Sequence, residues 1–403
     1  MELNNLQNRR DVLGLISRRG ILKSAATLAA ASSTLVRGQD GAILAYIGCY
    51  TPNGEGIYLF SMNPFDGTLT QMNVFTGPGT SNPSWLALHP NKKYLYAVNE
   101  NSPGTVSAFS VGPNGSLTFL NTVSAQGNGP AHMSIDASGQ YALIANYGSG
   151  NVAVIRLLAN GALGAATDVK SDISACSPAC PVGTTKAAKA PPGSFANSGH
   201  DGPHAHMIET DPSGNFVIVN DLGLDLTISW AFNKITGKLS NPQTFPSSAG
   251  AGPRHFAFHP NPKWFYSLNE EASTLAFMTY NATAGTFHLV DEVSTLPPEF
   301  VGTNFTSEVR VSRNGNYVYA ANRLHDTIAV FSIEASGVPT LIGEEWTRGD
   351  YPRSFTIDPT NSYLFVCNQR GDSVTSFRLY DGAALEFTGQ YTKVGSPAVI
   401  VFL

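Results

Sequence analysis

Along most of the chain, apolar and polar residues alternate in short runs separated by turn-forming residues. This period-two pattern is that of half-buried β-strands. The stretch from Gly252 to Glu270 shows the unit clearly. It has a proline, an alternating apolar run, a His-Pro turn, an aromatic-rich run and then Asn269. The same order recurs from Pro83 to Glu100, Pro130 to Tyr147, His206 to Leu222, Thr306 to Arg323 and Pro352 to Gln369. Anchor positions fall at Pro83, Pro130, Ala205, Pro253, Thr306, Pro352 and Pro397. Their spacing is 45 to 53 residues, with one interval of 75.

Each unit carries four short β signals. After Pro253 these are Phe256–Phe258, Trp264–Leu268, Thr274–Tyr280 and Phe287–Glu292. A four-stranded unit repeating every roughly 40–50 residues is a propeller blade. No amphipathic helix pattern interrupts the series, which excludes βαβ architectures. The sequence therefore predicts an all-β, seven-bladed β-propeller. Only one strand follows the last anchor, Ala398 to Leu403, while Ile43–Ile47, Gly56–Met62 and Thr68–Val74 precede the first anchor as an orphan set of three. The C-terminal strand is expected to join the N-terminal strands and close the ring, which leaves few exposed sheet edges.

The long interval holds an insertion at about 168–199, rich in Ala, Pro, Gly, Ser and Lys, with Cys176 and Cys180. Its composition is loop-like, and an oxidising compartment would allow the two thiols to pair. The first 38 residues read as an address. Ser17-Arg18-Arg19-Gly20-Ile21-Leu22-Lys23 resembles a bacterial twin-arginine export signal, and an Ala-rich apolar stretch and a small residue near Gly38 follow it. Export to the periplasm is the expectation. No run of 18 apolar residues exists, so no membrane-spanning helix is expected.

Composition narrows the function classes. The chain has 403 residues, 13% charged, with net charge −5, whereas an ordinary domain carries about 25% charged residues. Nucleic acid is not an expected partner, because no basic stripe is present. Four cysteines are too few for a disulfide framework.

The repeat then serves as a ruler. The residue after each anchor opens the innermost strand: Ser84, Ala131, His206, Arg254, Ser307, Arg353 and Ala398. The residue after the Asn-type position closes the second strand: Cys49, Glu100, Tyr147, Leu222, Glu270, Arg323 and Gln369. Antiparallel neighbours place these two sets at the same end of each blade, so all fourteen should ring one face. His89 and His259 fall in turns at the other face. The Asn residues at 99, 146, 269, 322 and 368, with Asp221, repeat uniformly and read as turn caps. The ring positions vary from blade to blade, as one asymmetric pocket requires. Glu308 and Arg310 share the polar side of the next inner strand, with His255 and His132 at positions equivalent to Glu308, and a central channel would accommodate them.

Gly202-Pro-His-Ala-His206, Gly252-Pro-Arg-His255, Leu268-Asn-Glu270 and Ser307-Glu-Val-Arg310 resemble the seven-bladed propeller lactonase family. Tyr46-Ile-Gly-Cys-Tyr-Thr51, Asp221-Leu-Gly-Leu-Asp225 and Ala321-Asn-Arg-Leu-His-Asp326 carry the same resemblance. That family includes propeller-type 6-phosphogluconolactonases and 3-carboxy-cis,cis-muconate lactonizing enzymes. The resemblance implies a site built on His206, Arg254, Glu270 and Arg310. The residues expected to bind substrate beside them are His204, His255, Glu308, Arg353 and Glu100.

The leading expectation is a lactonase acting on a sugar lactone or related acidic lactone, a small-molecule substrate. His206 or Glu270 would move protons, and the arginines would stabilise an oxyanion or hold an acidic group. A muconate-type cycloisomerase and a non-catalytic ligand-binding propeller remain alternatives. No cofactor is expected. His200, Asp201, His204 and His206 crowd one stretch, but no metal is expected there.

Overall fold

The computed structural model describes residue 41 and residues 43–171, 186–380 and 383–403. The twin-arginine segment and the Cys176 and Cys180 pair lie outside these residues. Among the described residues, the strands form seven four-stranded antiparallel sheets. Six blades use consecutive strands, with inner strands Pro83–Leu88, Pro130–Ile135, Ala205–Thr210, Pro253–Phe258, Thr306–Val311 and Pro352–Ile357 (blades 2 to 7). Every predicted anchor opens an inner strand. Blade 1 is composite: Pro397–Phe402 pairs with Ile43–Cys49, followed by Ile57–Met62 and Leu69–Phe75. The expected ring closure is therefore present.

Packing follows from the alternation. Apolar side chains from adjacent blades interdigitate, as Leu44 and Tyr46 of blade 1 do with Leu86, Tyr96 and Phe109 of blade 2. Buried tyrosines add a recurring polar tie. The Tyr46 hydroxyl donates to the Gly115 carbonyl of the next blade (2.7 Å), Tyr96 to Gly161 (3.0 Å), and Tyr266 to Gly337 (2.7 Å). A buried hydroxyl without such an acceptor would cost about 1–3 kcal/mol.

One irregularity repeats around the ring. In every blade the pairing of the inner strand with its neighbour slips by at least one residue just after the anchor, for example between Pro253 and His255 and between Pro352 and Ser354. In six blades the skipped residue is the ring position alone, and in blade 6 it is Ser307 together with Glu308. A bulge bends its strand and re-aims its side chain. The fold thus uses an extra residue per blade to turn His206, Arg254 and Arg353 toward the ring face.

The insertion is shorter than its composition suggests. The outer strand of blade 3 runs Leu163–Lys170. Asp168 lies within that strand, buried, pairing with Lys170 at 3.2 Å and accepting the Leu239 N–H at 2.7 Å.

Candidate active site

A sevenfold backbone contact fixes the second ring position in each blade. Its N–H donates to the carbonyl of the residue just before the anchor: Glu100 to Asn82, Tyr147 to Gly129, Leu222 to His204, Glu270 to Gly252, Arg323 to Phe305 and Gln369 to Tyr351. In blade 1 this donor is Tyr50, bonded to Ser396 at 3.0 Å. Cys49 instead pairs with the anchor Pro397. This corrects the expectation that Cys49 lies on the ring. Its buried thiol donates to the Gly56 carbonyl at 3.0 Å, and burial pushes its pKa up to about 11. Gly252 adopts φ +66°, a conformation that favours glycine. Its N–H is held by Asp225 (2.8 Å) and its carbonyl by Glu270 (2.6 Å).

On this face Glu270 is the hub. Its Oε2 lies 2.8 Å from Nε of Arg254 and 2.5 Å from Nη2 of Arg323. Its Oε1 accepts the Ser198 hydroxyl. Burial alone would raise the Glu270 pKa, but the Arg323 and Arg254 charges overcome it and hold the carboxyl below its usual range. Arg254 is 2% exposed and also donates from Nη1 to the Ser307 carbonyl. Burial, with the Arg323 charge beside it, lowers its pKa to about 10, so it stays a cation at neutral pH. Arg323 donates to the Tyr351 hydroxyl at 3.2 Å and stands over the rings of Phe305 and Tyr351.

His206 lies one blade earlier on the same rim. Its ring meets Tyr147 edge-on at 5.5 Å and His255 at 5.0 Å. Its Nδ1 is buried without a hydrogen-bond partner. Burial and the nearby Arg254 charge hold its pKa well below 6.5, so its imidazole is neutral near pH 7. Arg353 stands 5.0 Å over the Tyr50 ring, with Nη2 3.7 Å from the Glu100 carboxylate. That carboxylate takes its hydrogen bond from the Tyr50 hydroxyl at 2.5 Å. His204 stacks on Tyr147 at 4.6 Å and is held between the Tyr147 carbonyl (2.8 Å) and Asp201 (2.7 Å).

The structure thus brings His206, Arg254, Glu270, Arg353, Glu100 and His204 to one face. It does not bring Arg310 there. Arg310 is three residues below ring position Ser307, about 10 Å along an extended strand. It lines a cavity of about 660 Å³ at the other mouth of the channel, together with Glu209, Asp211 and Arg313. The second cation on Glu270 is instead Arg323, itself a ring position. Glu308 and His255 are each 1% exposed. They form a pair inside the channel, His255 Nδ1 to Glu308 Oε2 at 3.3 Å, with Arg310 Nε 3.3 Å from Oε1. They lie beneath the ring rather than on its surface, and burial takes the His255 pKa down to about 4.

The turn histidines behave as expected. His259 Nδ1 accepts the Asn261 N–H at 2.8 Å, so Nε2 carries the hydrogen donated to the Gly315 carbonyl at 2.7 Å. His89 makes the same pair of bonds with Asn91 and Gly139. The repeated Asn side chains tie strands to incoming loops: Asn99 Nδ2 donates to the carbonyls of Gly79 and Ser81, and Asn322 to that of Thr295.

A family model described as "Lactonase, 7-bladed beta-propeller" matches residues 44–402. A 6-phosphogluconolactonase of Bacillus subtilis (strain 168) is 32% identical over 365 residues, covering 89% of this chain and 98% of that protein. Among solved structures, a protein from Lactobacillus plantarum has a TM-score of 0.79 at 30% identity, over 90% of this chain and 99% of that one. The periplasmic gluconolactonase of Pseudomonas aeruginosa shares the fold, with a TM-score of 0.78 at 24% identity, over 90% and 99% of the two chains.

Proposed function

The chain belongs to the seven-bladed β-propeller lactonase family, and from that premise we propose that the ring face hydrolyses the ester of a sugar lactone bearing an acidic group, in the manner of the 6-phosphogluconolactonases. The observation that carries this reading is a buried His206, its Nδ1 without a hydrogen-bond partner, on the same rim as two arginines that share one carboxylate.

Hydrolysis needs a base for water, charge stabilisation on the carbonyl oxygen and a proton for the leaving alkoxide. His206 takes the water proton as attack begins and returns it to the ring oxygen as the tetrahedral intermediate collapses. Arg254 and Arg323 receive the oxyanion. Both are set in place before the substrate arrives, so little reorganisation opposes the charge that develops. Glu270 does not act as the base in this scheme. Its two oxygens are already occupied, and its lowered pKa makes it a weak one. Its work is to fix the two guanidinium groups. Arg353 stands over the Tyr50 ring and, among the described residues, has one ion pair, the loose 3.7 Å one with Glu100; it is the group that holds the substrate's carboxylate or phosphate.

The test is proton release on a pH-stat with the lactones of gluconate and 6-phosphogluconate, compared with the uncatalysed rate. Turnover that exceeds background and is lost in His206→Ala supports the reading. A wild-type rate equal to background on both lactones removes it. Arg18 and Arg19 further support export through the twin-arginine route, which fractionation of an R18K/R19K variant would test. The described residues contain no helix long and apolar enough to cross a membrane.

A further inference from the structure

Residues 186–204, the described part of the insertion, are laid across blades 5 and 6 before the chain enters blade 4. The Gly302 N–H donates to the Pro192 carbonyl at 2.8 Å, and the Phe195 N–H donates to the Thr303 hydroxyl at 2.8 Å. The segment then turns back over the ring. The Tyr147 hydroxyl donates to the Ser198 carbonyl at 3.1 Å, and the Ser198 N–H donates to Glu271. Two residues on, His200 is buried between acids, with Nε2 3.0 Å from Glu271 and Nδ1 3.7 Å from Asp225 and 3.2 Å from the Gly223 carbonyl. Asp225 is also the residue that holds the N–H groups of Gly250 and Gly252. The strap is therefore fastened to the same backbone that presents Glu270.

We propose that Ser198 is a positioning residue of the active site, through which the insertion sets the orientation of the Glu270 carboxylate and hence of Arg254 and Arg323. This rests on the lactonase reading of the ring face. The physical argument is a competition between two geometries. A carboxylate facing two guanidinium groups is drawn to chelate one of them with both oxygens, because a bidentate pair is the strongest arrangement available. That would release the other arginine. The Ser198 hydroxyl donates to Oε1 and anchors the carboxylate in the orientation that turns Oε2 to both arginines. Oε2 is then shared and both cations stay at the site. Displacing a charge-stabilising group by about 1 Å is enough to slow chemistry strongly.

The experiment compares Ser198→Ala and Ser198→Thr, the latter keeping the hydroxyl. In S198A, kcat on the lactone should fall between about 10- and 100-fold, with KM little changed. S198T should retain most of the rate. A second readout does not depend on turnover: the side-chain Nε–H resonances of Arg254 and Arg323, assigned by single Arg→Lys variants. Both should shift in S198A and stay near their wild-type positions in S198T. Unchanged resonances in S198A overturn the proposal even if no lactone is ever turned over. Shifted resonances in a protein without lactonase activity would retain the positioning role and remove only the functional reading.

Discussion

Arg323 reaches from blade 6 to place its Nη2 2.5 Å from Oε2 of Glu270 in blade 5, the same oxygen that Arg254 approaches at 2.8 Å. The pairing makes Arg323 and Arg254 equivalent partners in one cation cluster. Loss of either should therefore cost about 10²–10³-fold in kcat, and the double variant should cost less than the product of the two, because each removal already loosens Glu270. Arg310→Ala, at the far mouth of the channel, should leave turnover near wild type. Steady-state kinetics on the four variants decides. Equal losses for Arg310 and Arg323 would place the site at the wrong end.

His206→Ala should lower kcat about 10²–10⁴-fold with a stability change near 1 kcal/mol. The wild-type pH profile follows from the same residue. A base acts when unprotonated, and burial beside Arg254 holds its pKa well below 6.5. Activity should thus stay flat on descending from about pH 8 to 6 and fall only in more acidic buffer. An acid limb centred near the ordinary histidine pKa would show that His206 is not the titrating group.

His259→Ala supplies the control on the opposite face. Both ring nitrogens are used by the turn and by the next blade, at 2.8 and 2.7 Å. Its loss should lower stability by about 1–2 kcal/mol while kcat is unchanged, as thermal melts alongside assays will show.

Asp221 stands where five other blades carry Asn. Its Oδ1 accepts the N–H groups of His204 (2.8 Å) and Leu224 (3.0 Å), and its Oδ2 is buried without a partner. Burial raises its pKa to about 6, above the value near 3.9 of an unfolded aspartate. The folded state then binds the proton more tightly than the unfolded state. Stability is highest with the acid protonated and declines as pH rises from about 4 to 6, by up to about 3 kcal/mol. Asp221→Asn keeps the acceptor and removes the titration. It should stabilise the protein at neutral pH, with an advantage that grows through that window and is flat above it. Melting curves at several pH values test this, and a variant that is less stable at pH 7 would refute it.

Deleting Ala398 to Leu403 should prevent folding. Ala398, Val399 and Ile400 are 1–3% exposed, and apolar side chains of the larger kind contribute roughly 1.5–3 kcal/mol each. The strand also carries the backbone pairing with Ile43–Cys49 and accepts the Ser354 hydroxyl at the Ala398 carbonyl, 2.7 Å. A domain stability of about 5–15 kcal/mol has little room for that loss. A soluble truncated protein with an unchanged melting temperature would contradict the closure.

Most of the architecture was readable because the repeat restates it in every blade. One strand register, once found at Pro253, located inner strands at all other anchors. The slip at Cys49 has a specific cause. In blade 1 the Asn-type marker is replaced by a cysteine whose thiol makes a comparable bond to a backbone carbonyl, so the aligned pattern settled one residue early and hid Tyr50. Arg310 was misplaced for a different reason. Alternation tells which side of a strand a residue occupies, but not which mouth of the channel its side chain reaches, and Arg310 lies three residues beyond ring position Ser307, toward the far mouth. Arg323 held a ring position in the repeat, and the signal for it was present. Ser198 had none, because the insertion belongs to no blade and has no equivalent elsewhere in the chain.

The composite first blade also imposes a timetable. Arg353 stacks over Tyr50, and these residues come from opposite ends of the chain, brought together where blades 7 and 1 meet. A nascent polypeptide that has already made His206, Arg254, Glu270 and Arg323 still lacks the strand at Pro397–Phe402 that seats Tyr50 beside Arg353. Folding during synthesis proceeds from the N-terminus, so three strands of blade 1 must wait, unpaired on one edge, until Pro397–Phe402 emerges. Catalytic competence therefore waits for the Pro397–Phe402 strand, and a chain that stops before it lacks the completed site and carries an open strand edge that degradation machinery can recognise.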